Sequence, residues 1–426
     1  IDIELPPIIR LERQAGGADA INEAAKILSD AKFPVILSGA GVVIGGAIED
    51  CVKLAEKLDS PVCSGYQHND SFPGSHPLAV GPLGYNGSKA AMELISKADV
   101  VLALGTRLNP FSTLPGYGID YWPKKAKIIQ VDMNSDRIGL TKKVTVAICG
   151  DAKMVSQQLL SKLSLKAGDT DRQKRKDLIH QTKSAWLQKL ASLDHEEDDP
   201  GTVWNKEARE RDKDRMSPRQ SWRAIQAGMP EDVIISSDIG NNCAIGNAYP
   251  TFEKGRKYLA PGLFGPCGYG FPSILGAKIG CPNTPVIGFA GDGAFGISMN
   301  EMSSCARKEW PPITMVIFRN YQWGAEKRNS ILWFDDNFVG TELDPKLSYA
   351  KVADACGLKG VTVKTMDETT KAIKQSCEDQ KKGITTFIEV ILNQELGDPF
   401  RRDAMKKPVR VAGIKKKDMR VQKSLV

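Results

Sequence analysis

Two short stretches of this chain carry residue types that could hold a charged group between them. They are Gly291-Asp292-Gly293 and Asn320-Tyr321-Gln322-Trp323-Gly324, and 26 residues separate Gly293 from Asn320. Each follows an apolar run, at 285–290 and 313–318, and the intervening residues at about 298–308 have helical character. Strand, helix and parallel strand make one crossover, which sets the carboxyl ends of the two strands side by side. Asp292 and Asn320 then converge, and flanking glycines let the backbone come close to a bound group. A carboxylate, an amide oxygen and a backbone carbonyl form an all-oxygen set. Such a set suits a hard cation that keeps waters and bridges diphosphate oxygens, Mg²⁺. A helix following Gly293 directs its free N–H groups at the same phosphates. Asp-Gly alone is a turn signal; the spacing between two strand ends carries the reading.

Two further loops belong to the same region of sequence. Gly265-Pro266-Cys267-Gly268-Tyr269-Gly270-Phe271-Pro272 is a Gly-rich turn entering a helix. Asp238-Ile239-Gly240-Asn241-Asn242 follows the apolar strand 233–236. By itself the Asn pair reads as a turn, and Cys267 as a plain buried thiol.

Positioning these loops takes a sheet. Ser217-Pro218-Arg219-Gln220 opens a helix with an N-cap and Pro in the first turn. Strands at 233–236, 285–290, 313–318 and 386–391 follow. The first three end on polar or Gly residues, where an open parallel sheet places its ligands. An earlier region repeats the beat: an amphipathic helix at 18–29, a buried strand at 34–39 entering Gly39-Ala40-Gly41, and strands at 61–64, 100–105 and 128–132. Helix alternating with apolar strand predicts α/β architecture, two doubly wound parallel sheets. The expected division is a first α/β domain over 1–165, a charged crossover over 166–215, a second α/β domain over 216–396 and a basic tail over 397–426. The crossover is expected to be part helix, part loop, presenting a solvated face. Gly39-Ala40-Gly41 lacks the GxGxxG register of a dinucleotide site and reads as structural glycine.

Composition narrows the class. At 426 residues with 41% hydrophobic and 26% charged residues, the chain is a globular protein of two or three domains. Its net charge of +7 lies partly in runs such as Lys415-Lys416-Lys417, with no basic face interleaved with aromatics, so nucleic acid is not an expected partner. No apolar run approaches the roughly 20 residues of a membrane helix. Nine cysteines without a CxxC pair read as reduced thiols, and the expected location is cytoplasmic. Ile1-Asp2-Ile3-Glu4 has no initiator Met and no signal-peptide character, so the chain is expected to begin inside a longer protein.

The GDG run with its spaced Asn resembles the thiamine diphosphate (ThDP) motif of the acetolactate synthase-like enzymes. The resemblance implies Mg²⁺ ligation by Asp292, Asn320 and the Gln322 carbonyl. It also implies diphosphate contacts from Asn241, Gly291, Gly293, Ala294, Asn320, Gly324 and Ala325. Gly265 would accept the aminopyrimidine 4′-amino group, and Cys267 would be the wedge that bends the cofactor. The family's usual first Asn is replaced by Arg319. Beyond the motif, 318–327, 333–342 and Gly397-Asp398-Pro399-Phe400-Arg401-Arg402-Asp403-Ala404 are similar to the sulfoacetaldehyde acetyltransferase subfamily. That implies conversion of sulfoacetaldehyde and phosphate to acetyl phosphate and sulfite, with Glu326 handling protons. Arg319, Lys327, Arg328, Arg401 and Arg402 are candidate cations for the two anionic substrates. Family members take an activating Glu from a separate pyrimidine-binding domain, upstream or on a partner chain, commonly within a homodimer or tetramer. The alternatives are an acetolactate synthase-like decarboxylase or carboligase, and a catalytically silent ThDP-binding module.

Overall fold

A computed structural model describes residues 12–116, 118–165, 171–193, 210–262, 264–307, 309–333 and 337–395. Among them are two six-stranded, all-parallel sheets with helices on both faces. The first comprises β1 (Pro34–Ser38), β2 (Val62–Ser64), β3 (Ala79–Pro82), β4 (Val100–Leu104), β5 (Lys127–Asp132) and β6 (Val146–Cys149), in the order β3-β2-β1-β4-β5-β6. The second comprises β7 (Ile234–Ser237), β8 (Tyr258–Leu259), β9 (Val286–Gly291), β10 (Thr314–Arg319), β11 (Lys359–Val363) and β12 (Thr386–Ile391), in the order β11-β12-β10-β9-β7-β8.

Covering both sheet faces explains the unbroken apolar runs. Along β10, Val316 and Phe318 enter a core with Trp222 and Phe289, while Met315 and Ile317 enter another with Phe271, Phe295 and Phe387. Burying each such side chain contributes roughly 1.5–3 kcal/mol, so a strand polar on one face would not be stable in this layer. The helix Pro218–Gly228 starts where the sequence places it, with Ser217 and Gln220 forming a reciprocal capping box.

At the switch of strand order between β1 and β4, backbone meets backbone. Gly41 N–H donates to Gly105 O at 2.8 Å, and a Cβ on Gly41 would lie 2.7 Å from Gly105 Cα. Glycine is needed there for packing, in agreement with the structural reading of Gly39-Ala40-Gly41.

The crossover differs from its expected solvated character. Its helix Asp171–Leu193 sends Ile179 into the first sheet's core and Trp186 and Leu190 into the second's. Arg175, 5% exposed, donates to Asp59 O, Leu58 O and Lys32 O. The helix is a strut between the two units, while Asp171, Lys174, Lys176, Asp177 and Lys189 face water. The units also bond directly. Asn69 donates to Asn247 O at 2.9 Å and Pro250 O at 2.8 Å, and Asp70 accepts the Lys257 and Tyr258 N–H groups. These bonds fix the edge strand β8 against the first unit.

Candidate functional site

Strands β7, β9 and β10 are neighbours, so their carboxyl ends deliver Asp238, Gly291-Asp292 and Asn320 to one edge of the sheet. The register pairs Gly291 with Phe318, which leaves Asp292 and Asn320 just beyond adjacent strand ends. Their convergence is direct: Tyr321 N–H donates to Asp292 Oδ2 at 2.7 Å. The helix expected at about 298–308 instead begins at Asp292 itself. It runs Asp292–Ser298, tightens into a 3₁₀ turn Met299–Glu301 and resumes as Met302–Cys305. Ser298 donates its hydroxyl to Gly268 O at 3.3 Å, tying the end of the first segment to the Gly265–Phe271 region.

Asp292 is 1% exposed. Its Oδ2 also accepts from Arg319 Nη1 at 3.0 Å, while Oδ1 accepts only the adjacent Gly293 N–H at 3.0 Å. Burial pushes the Asp292 carboxyl up to about 6, against the pull of the Arg319 guanidinium and the Tyr321 N–H. Asn320 is 2% exposed. The Gln322 carbonyl lies between the bonds Trp323 N–H to Thr341 O and Leu343 N–H to Tyr321 O, and takes part in neither. The Asp292 carboxylate, the Asn320 amide and the Gln322 carbonyl are a mixed set of oxygen groups carried just beyond two adjacent strand ends. No group of three His, Cys, Asp or Glu that could hold a metal occurs among the described residues, so any ion bound here relies on this mixed set.

The glycines divide by task. A Cβ on Gly291 would point into open space, as an approaching phosphate needs, whereas a Cβ on Gly293 would lie 2.9 Å from the Trp323 ring. Gly293 is therefore required by the indole packed on it. Ala294 is buried behind it, and Ala325 follows Gly324 at the start of the helix Gly324–Trp333. Asn241 is 5% exposed and opens the helix Asn241–Ile245. Its Nδ2 has no partner among the described residues and would lie 3.2 Å from a Cβ on Gly324.

Gly265 and Gly268 both take left-handed φ values, 60° and 87°. Cys267 between them is exposed, so it is no core thiol. Partial burial, with Asp238 and Glu326 nearby, pushes its thiol up and keeps it protonated near neutrality. Glu326 is exposed on the first turn of its helix and within Coulombic reach of Cys267. The cations fare differently. Arg319 is 1% exposed and held by Asp292, the Asp344 and Leu347 carbonyls and Glu389, which removes it from the substrate grip expected of it. Lys327 pairs with Glu342 at 2.6 Å, and Arg328 is buried against Tyr85 of the first unit. Phe334, Asp335 and Asp336, and the run from Gly397 with Arg401 and Arg402, lie outside the described residues.

Comparison with known proteins places these features. Residues 21–159 match the family described as thiamine pyrophosphate enzyme, central domain, and 238–390 match the C-terminal TPP binding domain of such enzymes. The chain is 75% identical over 425 residues to a protein of Rhizobium meliloti (strain 1021) named "Probable sulfoacetaldehyde acetyltransferase", covering 100% of this chain and 72% of that one. It is 71% identical over 422 residues to the sulfoacetaldehyde acetyltransferase of Roseovarius nubinhibens, covering 99% of this chain and 70% of that one. The chain belongs to the sulfoacetaldehyde acetyltransferase family of ThDP enzymes. A crystal structure of benzoylformate decarboxylase from Polynucleobacter necessarius superposes with a TM-score of 0.70 at 19% identity, over 93% of this chain and 68% of that one, which shows the shared fold. Among the described residues no helix is long and apolar enough to cross a membrane.

The family cofactor fits the geometry. The buried Asn320 amide, the Asp292 carboxylate whose Oδ1 accepts only the adjacent Gly293 N–H among the described residues, the unpartnered Asn241 Nδ2 and the open face of Gly291 are the groups and space a metal diphosphate needs. Because a metal requires the carboxylate form, affinity for Mg²⁺ with ThDP is expected to fall as pH drops through about 6, approaching tenfold per unit below it. The sign follows from the raised value: above about 6 the site is ionised and ready, below it protons compete. Titration calorimetry between pH 5 and 8 measures this, and a flat profile contradicts it.

Proposed function

We propose that the assembled enzyme converts sulfoacetaldehyde and phosphate to acetyl phosphate and sulfite, using ThDP and Mg²⁺. What supports this reading is near-complete coverage of the chain at 67–75% identity by three relatives bearing the sulfoacetaldehyde acetyltransferase name, against 26–29% for acetolactate synthase large subunits. The ThDP motif is common to both groups, so the whole-chain identity carries the substrate.

In this reading Asp292, Asn320 and the Gln322 carbonyl hold Mg²⁺. Asn241, Gly291, Gly293, Ala294, Asn320, Gly324 and Ala325 surround the diphosphate. The Gly265 carbonyl accepts the 4′-amino group, and Cys267, held as the neutral thiol, is the wedge. When bound, the cofactor supplies a carbanion and an electron sink. The chain's part is placement: a metal corner at one end, the left-handed loop at the other, and Glu326 beside Cys267 to move a proton. The activating Glu comes from a pyrimidine-binding domain, in the same longer polypeptide or on a partner, within a homodimer or tetramer. All nine cysteines are free, which supports a reducing, cytoplasmic setting.

Product analysis tests the proposal. With sulfoacetaldehyde, the assembled enzyme should release sulfite and acetyl phosphate in equal amounts, with strict dependence on phosphate, ThDP and Mg²⁺. Acetolactate from pyruvate without sulfite from sulfoacetaldehyde would move the chain to the acetolactate synthase reaction. No product from either substrate would leave a silent binding module.

A further inference from the structure

Asp238 stands at the end of β7, is 1% exposed and has no Lys or Arg within ion-pairing distance among the described residues. A buried carboxylate without a counter-ion is costly unless its oxygens are hydrogen-bonded. Here both are: Oδ1 accepts the N–H groups of Ile239 at 2.8 Å and Gly268 at 3.1 Å, and Oδ2 accepts that of Gly270 at 2.7 Å. Two of these donors belong to the loop that carries Gly265 and Cys267. The Asp238 N–H in turn donates to Phe289 O at 2.8 Å, so the carboxylate is fixed to the body of the sheet. On its other side the Gly268 carbonyl accepts from Ser298, at the far end of the helix that starts with Asp292.

Gly268 is therefore gripped by its N–H from β7 and by its C=O from the Asp292 helix. We infer that Asp238, assisted by Ser298, is a positioning residue that sets the Gly265–Cys267 loop at a fixed distance and orientation from the Asp292–Asn320 metal corner. This rests on the ThDP reading proposed above. It adds that the span between the two ends of the cofactor is governed by one buried carboxylate touching neither end. The charge matters as well as the shape. An amide in its place keeps one acceptor oxygen and turns an N–H₂ toward a backbone N–H, donor against donor.

The test separates the two ends. Asp238→Asn and Ser298→Ala are made in the assembled holoenzyme. Binding of Mg²⁺ with inorganic diphosphate and of Mg²⁺ with ThDP is measured by calorimetry, and exchange of the C2 proton of bound ThDP by NMR. Inorganic diphosphate engages only the metal corner, so its affinity should stay within about twofold of wild type in both variants. Losing hydrogen bonds to a charged acceptor predicts that Asp238→Asn weakens ThDP binding and slows C2 exchange by roughly 10- to 100-fold, with Ser298→Ala moving the same way by less. Loss of inorganic diphosphate binding in Asp238→Asn would show a general collapse and overturn the inference. So would wild-type ThDP affinity and exchange in that variant. Failure of the wild-type enzyme to bind ThDP would instead sink the cofactor reading itself.

Discussion

Asp292→Ala is expected to abolish Mg²⁺-dependent ThDP binding, raising the dissociation constant at least ~100-fold and taking sulfite release to background. The size follows from charge. In the ligand set proposed above Asp292 is the single anionic group, the Asn320 amide and the Gln322 carbonyl being neutral, and no group of three His, Cys, Asp or Glu that could replace it occurs among the described residues. Truncation also does more than remove a ligand. Arg319, 1% exposed, keeps its guanidinium at the vacated place, so a divalent cation would enter beside an unshielded positive charge. Two unit charges 4 Å apart interact by about 4 kcal/mol in surroundings of effective dielectric near 20, enough by itself for a several-hundredfold loss. Asp292→Asn is the informative companion. It retains an oxygen ligand but not the neutralising charge, and should bind measurably yet weakly. Calorimetry with ThDP at saturating Mg²⁺ decides the matter. Unchanged affinity in Asp292→Ala would place the metal elsewhere.

The convergence of Asp292 and Asn320 was legible because its logic is local to one crossover. Parallel neighbours joined by a helix must end side by side, so Gly291-Asp292-Gly293 and Asn320 could be paired from their spacing alone. The same rule brought out the sheets, since apolar runs between helical segments have few other uses. Arg319 shows where this kind of reading stops. Its departure from the family's Asn was visible, but its partners are Glu389 on β12 and the carbonyls of Asp344 and Leu347, 25 or more residues away. Without that closure a basic residue beside an anion site looks like a substrate ligand. Asp238 is similar: it opens the polar loop after the strand 233–236, yet its two principal donors, Gly268 and Gly270, are some 30 residues on and offer backbone N–H groups, which leave no trace in residue type. The strut helix is a different miss, because the signal was present. Ile179, Trp186 and Leu190 lie seven and four residues apart on one face, a pattern outweighed by the surrounding charge.

Arg319→Met is expected to destabilise the ligand-free protein by roughly 3–5 kcal/mol, the cost of removing one partner from a buried ion pair. The arrangement makes the cost one-sided. Arg319 faces two buried carboxylates, Asp292 at 3.0 Å and Glu389 at 3.7 Å, and donates to the Asp344 and Leu347 carbonyls as well. Methionine fills much of the volume but leaves both acids uncompensated and both carbonyls without that donor. For a unit of this size the melting temperature should fall by on the order of 10 °C. Arg319→Lys should recover only part, since a single ammonium cannot serve a carboxylate and two carbonyls with the geometry of a guanidinium. Mg²⁺ with ThDP provides the discriminating measurement. If the loss arises from an unpaired Asp292, a bound divalent ion replaces the missing positive charge. Saturating ligand should then raise the melting temperature of Arg319→Met by more than it raises that of wild type. A generic packing defect would leave the gap between the two proteins unchanged by ligand. Adding Asp292→Asn to Arg319→Met should recover stability in the ligand-free state while eliminating the extra ligand effect, because the stranded charge is then gone. Equal melting temperatures for wild type and Arg319→Met without ligand would mean that the Arg319–Asp292 pair contributes nothing to the fold.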